Sequence, residues 1–277
     1  MRFGLALMAL LGTAGAAAAA EESPDVATIV DAARDAEIVI LGEIHDNPTH
    51  HAIQAEVVAA LEPAALVFEM IPQARENEVN ALRAQDAGRE AIAESLDWSE
   101  SGWPDFGYYA AILEAAPEAR VFGAGQPRAD VERAAVEGAA SVFGPDAATY
   151  GLDQPLPPEE LAAREAGMQA AHCGALPPDM LPGMVEAQRF RDAGLADAAL
   201  WARTLAGDGR VVVITGNGHA DRRRGMPAAL AVADPEVSIF SVGQFEAPPD
   251  DPGDYDLVVL APAPDRGDPC AVFRPTH

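Results

Sequence analysis

The stretch ILGEIHDNPTHH, residues 40–51, holds three of the chain's six histidines and sets Glu43 two residues before His45. A carboxylate beside an imidazole is the composition that general acid–base chemistry uses, and it also suits a divalent metal. Two further segments end in the same residue types: ALVFEM runs into Glu69, and VVVITGNGH runs into His219. The chain has no G-x-S-x-G elbow and no HExxH, which disfavours a serine esterase and an ordinary zincin.

A second chemistry is offered by GWPDFGYYAAI, where Trp103, Phe106, Tyr108 and Tyr109 crowd together in a chain only 6% aromatic. Such a segment walls a flat apolar ligand, with a tyrosine oxygen available to ferric iron, or else anchors a helical core. His50 and His51 add imidazoles to the same candidate surface. Arg222, Arg223 and Arg224 form the only dense basic cluster, suited to a propionate or phosphate, or to a solvated turn.

These residues need elements that bring them together. Apolar runs predict buried strands at 37–41, 65–68, 210–215 and 256–260, with weaker ones at 120–122 and 237–242. Helical patterns separate them, including a short helix over 128–139. The alternation predicts an α/β fold with a mainly parallel sheet flanked by helices. Ligands of such sheets bind beyond the carboxyl ends of the strands. Glu43, His45, Glu69 and His219 are therefore expected at one edge, with Gly216 and Gly218 letting the chain turn sharply before His219. Asn47-Pro48 reads as a helix start, because Asn47 can cap free N–H groups and Pro48 needs no partner. His50 then points near the middle of the inner face set by Ile53, Val57, Val58 and Leu61, facing the site, with His51 about a quarter-turn away. The helix dipole favours neutral rings there. Long helical stretches near 71–118 and 150–205, the second split by the prolines of LPPDMLPG, are expected to form a smaller lobe.

Acidic residues number 44 against 18 basic ones, a formal net charge of −26. That field repels nucleic acid and anionic lipid. Residues 1–20 read as a secretory signal peptide ending in an A-x-A site, ahead of a single domain over 21–277. With no cysteine near the cleavage region and no later segment apolar enough to span a bilayer, the expectation is an exported, periplasmic chain without a lipid anchor or a membrane span. In that oxidising compartment Cys173 and Cys270 suggest a disulfide, with two unrelated thiols as the alternative.

LGEIHDNPTHHAIQ, VFEM, the Trp-Pro…Tyr segment, HCG…MLPGMVEAQRFRD and GNGHADRRRGMP together resemble the ChaN-like haem-binding proteins, within the erythromycin-esterase, TraB and Tiki group. The resemblance spans about residues 30–262. It implies a parallel sheet, a smaller helical lobe, and haem held partly by tyrosine, sometimes between two subunits, so that a homodimer on haem binding is expected. Tyr109 best fits the tyrosine of that pattern, with Trp103, His50, His51, Arg222 and Arg223 as its surroundings. The related esterases and metalloproteases imply instead a hydrolase in which His45 is a general base or metal ligand, Glu43 orients it or binds a divalent metal, and His219 stabilises an oxyanion or completes the metal site, with Glu69 as a further catalytic carboxylate. A scaffold that keeps the site without turnover is the third reading.

Overall fold

A computed structural model describes residues 23–249, 253–268, 270 and 271; the signal peptide expected over 1–20 lies outside them. Six strands form one sheet: β1 Ile38–Glu43, β2 Ala65–Pro72, β3 Arg120–Gly125, β4 Val211–Gly216, β5 Ile239–Phe245 and β6 Leu257–Leu260. Every neighbouring pair is parallel, in the order β3-β2-β4-β1-β5-β6. The expected α/β architecture is thus the observed one.

β-branched runs such as Val211-Val212-Val213 form these strands because a pleated strand buried on both faces suits their stiff side chains. Alternation then sorts the core into two layers. Val39, Leu41, Leu66, Phe68 and Ile214 pack under the helices Val26–Ala32, Pro48–Leu61 and Phe106–Ala115. Ile38, Ile40, Val67, Val211 and Val213 face the other way, toward Leu181–Ala206 and Met226–Ala233. Each fully buried side chain of this size contributes roughly 1.5–3 kcal/mol. The long helix Leu181–Ala206 meets the sheet through Ala193, Ala196, Ala199 and Ala202, all completely buried, so its backbone lies close against the strands. Among the expected insertions, residues 76–115 are built into the first layer, whereas Pro158–Ala171 contributes no fully buried residue. Pro177 and Pro178 fall between Ala171 and Leu181, where the sequence suggests the split, and Pro182 lies in the first turn of the helix that follows.

The chain leaves β1 toward a helix on one face and leaves β4, its immediate neighbour, toward helices on the other. Such a switch point opens a crevice at the carboxyl ends of the two strands. No helix among the described residues is long and apolar enough to cross a membrane.

Cys173 and Cys270 form the expected disulfide, with Cα atoms 5.7 Å apart across a sequence separation of 97 residues. Closing so long a loop restricts the unfolded chain, and native bridges of this kind contribute about 2–4 kcal/mol. Replacing both cysteines by alanine is expected to lower the thermal midpoint by roughly 5–15 °C; an unchanged midpoint in calorimetry would show that the bridge stabilises nothing.

Candidate functional site

β1 delivers Glu43 into the crevice with its side chain fully buried. Its Oε1 accepts the Tyr109 hydroxyl at 2.9 Å and lies 2.8 Å from His45 Nδ1. Its Oε2 accepts Gln54 Nε2 at 2.9 Å, with His51 Nδ1 at 3.4 Å. His51 Nε2 donates to the His45 carbonyl at 2.8 Å, which closes the loop on itself. Asn47 caps the following helix by accepting from the Thr49 and His50 N–H groups, so both histidines sit in its first turn. The expectation that His50 faces the site is corrected here. Its Nδ1 accepts the Ile44 N–H at 2.9 Å, and burial drives its pKa down to about 4. His50 is therefore a neutral brace of the turn, and His51 takes the place beside Glu43.

Tyr109 is buried, its ring edge-on to His51 at 4.8 Å and tilted against Trp98 at 5.2 Å. Burial, then the Glu43 charge, raises its pKa still further above the ordinary tyrosine value, so the phenolate that binds ferric iron is disfavoured. Tyr108 comes next to it on the helix, about 100° round, half-buried and stacked on His51 at 5.0 Å.

The second cluster is built where β2 changes register. The β2–β4 ladder ends at Phe68 opposite Ile214, and β2 shifts against β3 between Phe68 and Pro72. Glu69 sits at this irregularity and its carboxylate replaces the missing ladder. Oε2 accepts the Gly216 N–H at 2.8 Å and the Thr215 hydroxyl at 2.7 Å. Oε1 pairs with Arg191 and lies 3.4 Å from His219 Nε2, while His219 Nδ1 donates to Asp192 Oδ1 at 2.6 Å. Burial opposes ionisation of Glu69, yet His219, Arg191 and His45 outweigh it and hold its pKa well below the usual range. Burial opposes a charged His219 too, but Glu69 and Asp192 reverse the sign and push its pKa up to about 9. His219 is thus an imidazolium at neutral pH. Burial raises the Asp192 carboxyl despite that charge, and Asp192 Oδ2 has no hydrogen-bond partner among the described residues.

The clusters adjoin at Gly216, the register partner of Glu43. Its φ of −65° is ordinary, so no sharp turn requires glycine; a Cβ there would lie 2.9 Å from His45 Nε2. Clearance is what this position supplies. Glu43, His45, Glu69 and His219 do come to one edge, as the strand endings suggest. They do not assemble one metal position: among the described residues no group of three or more His, Cys, Asp or Glu side chains is so disposed. The physical reason is that His45 and His219 serve different carboxylates, and an imidazolium has no lone pair to give.

A cleft of about 250 Å³ opens beside Glu69, lined by Met70, Trp103, Arg128, Arg191 and Leu195. Trp103 meets His45 edge-on at 4.9 Å, and the His45 side chain is 36% exposed, so this aromatic pair forms the mouth. Arg222 and Arg223 lie elsewhere. Arg222 pairs with Asp256 at 2.6 Å and bonds the Ile239 carbonyl, bracing β5 against the start of β6; Arg223 lines a separate cavity with Tyr150 and Arg189. Sequence reasoning assigned no role to Gln54, Gln188, Arg191, Asp192 or Thr215. The last helix did carry a signal: Gln188, Arg191 and Asp192 stand at i, i+3 and i+4, one helical face.

The His219 shift sets a pH dependence. Its folded pKa, about 9, lies above the unfolded value near 6.5, so its stabilisation is fully present below 6.5 and is lost as pH rises through 9. Unfolding free energy is expected to fall between pH 7 and 10, and His219→Gln should flatten that limb. Persistence of the full slope in the variant would place the titrating group elsewhere.

A sequence profile described as haem-binding uptake, Tiki superfamily, ChaN matches residues 29–230. Among solved structures, the chain is similar to ChaN of Campylobacter jejuni, described for its cofacial haem binding, at 19% identity and a TM-score of 0.63, covering 83% of this chain and 89% of that one. Weaker likenesses are to the type III effector HopBA1 (15% identity, 86% and 93% covered, TM-score 0.47) and the erythromycin esterase EreC (12%, 78% and 71%, TM-score 0.40). No curated protein matches the sequence. With the profile spanning most of the chain, this protein belongs to the ChaN family of haem-binding uptake proteins in the Tiki superfamily.

Proposed function

We propose that the chain is an exported haem-binding protein of iron or haem acquisition. The observation that carries this reading is the part-exposed aromatic pair of Trp103 and His45, in which Trp103 lines a cleft that also holds Arg128 and Arg191. Trp103 and His45 offer surfaces to a flat macrocycle, and the guanidinium groups suit its propionates. At about 250 Å³ the cleft is below the usual range of enclosed ligand sites, roughly 300–1,000 Å³. A bound haem would therefore keep one face open to a second copy of the chain, the homodimer that this reading expects in the loaded state.

Bound haem supplies ferric iron, which takes a phenolate oxygen. We assign that oxygen to Tyr108 instead of Tyr109. Tyr109 is committed to Glu43 inside the core, whereas the Tyr108 hydroxyl makes no hydrogen bond among the described residues. Haem titration of the exported form tests this. Tyr108→Phe is expected to change the ferric visible bands and to weaken affinity at least roughly tenfold, or 1.4 kcal/mol. Tyr109→Phe should leave the bands alone; a spectrum altered by Tyr109→Phe or His45→Ala, and not by Tyr108→Phe, would move the ligand.

One observation favours a second reading, metal-free hydrolysis. Glu43 holds His45 through Nδ1 at 2.8 Å, which leaves Nε2, beside the cleared space at Gly216, to take a proton from water. The His219 imidazolium is a fixed positive charge for a developing oxyanion. On this reading His45→Ala lowers turnover of chromogenic esters roughly 100- to 10,000-fold while Tyr108→Phe is silent. Absence of any turnover by the wild-type chain would set this second reading aside.

A further inference from the structure

The two cysteines of the chain join surface segments that neither reading uses. Cys173 is exposed and Cys270 partly so, which opens the bond to a reductant; exposed bridges are the labile ones. Cys173 also has a φ of 57°, a left-handed backbone that residues other than glycine seldom adopt. The segments it ties bury little. The helix Pro158–Ala171 has no fully buried residue, and of residues 261–268 only Ala261 is buried.

The C-terminal side of the bridge leads to the candidate site. Residues 261–268 form a strap that runs from the end of β6 past β5 to the turn after β1, the Ala261 N–H donating to the Phe245 carbonyl at 2.8 Å. Arg266 clamps Glu246 with both terminal nitrogens, at 2.8 and 2.6 Å, and lies 3.2 Å from Asp46. Glu246 and the Pro262 carbonyl both accept from Asn47 Nδ2, at 2.9 and 3.1 Å. Asn47 is completely buried, and its Oδ1 caps the helix of His50 and His51 through the Thr49 and His50 N–H groups. One end of this side chain is therefore bonded to the strap, and the other holds the turn that presents His45 to Trp103.

On the other side of the bridge, Cys173 follows the helix Pro158–Ala171, whose Arg164 donates to the Arg224 carbonyl at 2.8 Å, just past His219. The disulfide thus closes a belt along the carboxyl edge of the sheet, fastened to the loop after β1 and to the loop after β4. We infer that this disulfide is a redox latch: intact, it keeps the strap on Asn47 and the His45 turn in its binding geometry, and reduction releases both. A dithiol supplies the two electrons and two protons. Its first thiolate displaces one cysteine sulfur, its second closes on the mixed disulfide, and Cys173 and Cys270 leave as thiols. The effect on haem rests on the proposed function, whereas the effect on the turn does not.

The test compares the whole chain oxidised and after reduction with dithiothreitol, alkylation with iodoacetamide and removal of both reagents. Hydrogen exchange, read by mass spectrometry, is expected to speed up at least roughly tenfold over residues 44–51 while β2 and β3 keep their protection. Haem affinity in an absorbance titration should fall at least roughly tenfold. Arg266→Met cuts the strap from Glu246 with the disulfide in place; it should speed the same segment, and reduction should then add little. Replacing both cysteines by alanine should match the reduced chain, which separates the latch from any effect of the alkyl groups. Should the reduced chain unfold, Arg266→Met with its bridge intact decides. Unchanged exchange over 44–51, a rise spread evenly into β2 and β3, or a silent Arg266→Met would each overturn the latch. Faster exchange with equal haem affinity in the two forms would overturn it too. An oxidised chain that binds no haem defeats the haem reading instead, and exchange alone then decides the latch.

Discussion

A carboxylate taken out of water must have its charge answered, and Glu69 is answered by four groups from two distant parts of the chain. Thr215 and Gly216 bring the end of β4 to it, Arg191 brings the long helix, and His219 brings the turn after β4. Deleting one partner of a buried charge typically costs about 3–5 kcal/mol, because the other charge stays behind. The bulge of β2, the end of β4 and the placement of helix Leu181–Ala206 are thus mutually dependent through one side chain. The same charge keeps His219 protonated, which in turn holds Asp192.

Much of this was legible in the sequence. Apolar runs located all six strands, and the residues that follow them located the edge where the site lies. The strands run on past their apolar runs, since Gly42, Glu43 and Gly216 continue the ladder through backbone groups that do not depend on side-chain polarity. The bulge after Phe68 has no sequence signature, so the ladder-replacing role of Glu69 was not readable. Neighbouring pairs on helices were the weak point: His50 with His51, and Tyr108 with Tyr109, differ by about 100° of helical phase, and the packing partner that decides between them is remote in sequence. Asp192 sits in RFRDAG, which reads as a solvated face until the sheet buries it.

The site has a closed half and an open half. Glu43 accepts from Gln54 and Tyr109 away from solvent, with His51 beside it at 3.4 Å, and Gln54 Oε1 and His51 Nδ1 are left without a hydrogen-bond partner among the described residues. His45 and Trp103 face outward from this half. A buried polar interior behind an exposed aromatic rim can serve a bound plate or a held water molecule equally well, which is why two chemistries share the geometry.

The alanine face of helix Leu181–Ala206 has a consequence for how this chain can change length. Ala193, Ala196, Ala199 and Ala202 fix the helix's rotation against the sheet, and that rotation aims Gln188, Arg191 and Asp192. A single residue inserted or deleted between Asp192 and Ala193 would turn the polar triplet by about 100° relative to the stripe and carry all three away from Glu69 and His219 together. Substitutions can accumulate along this helix, but its register is frozen there. A change of length is expected to cost less in the segment ahead of it, 172–180, where the chain is already interrupted by proline and no site residue depends on helical phase.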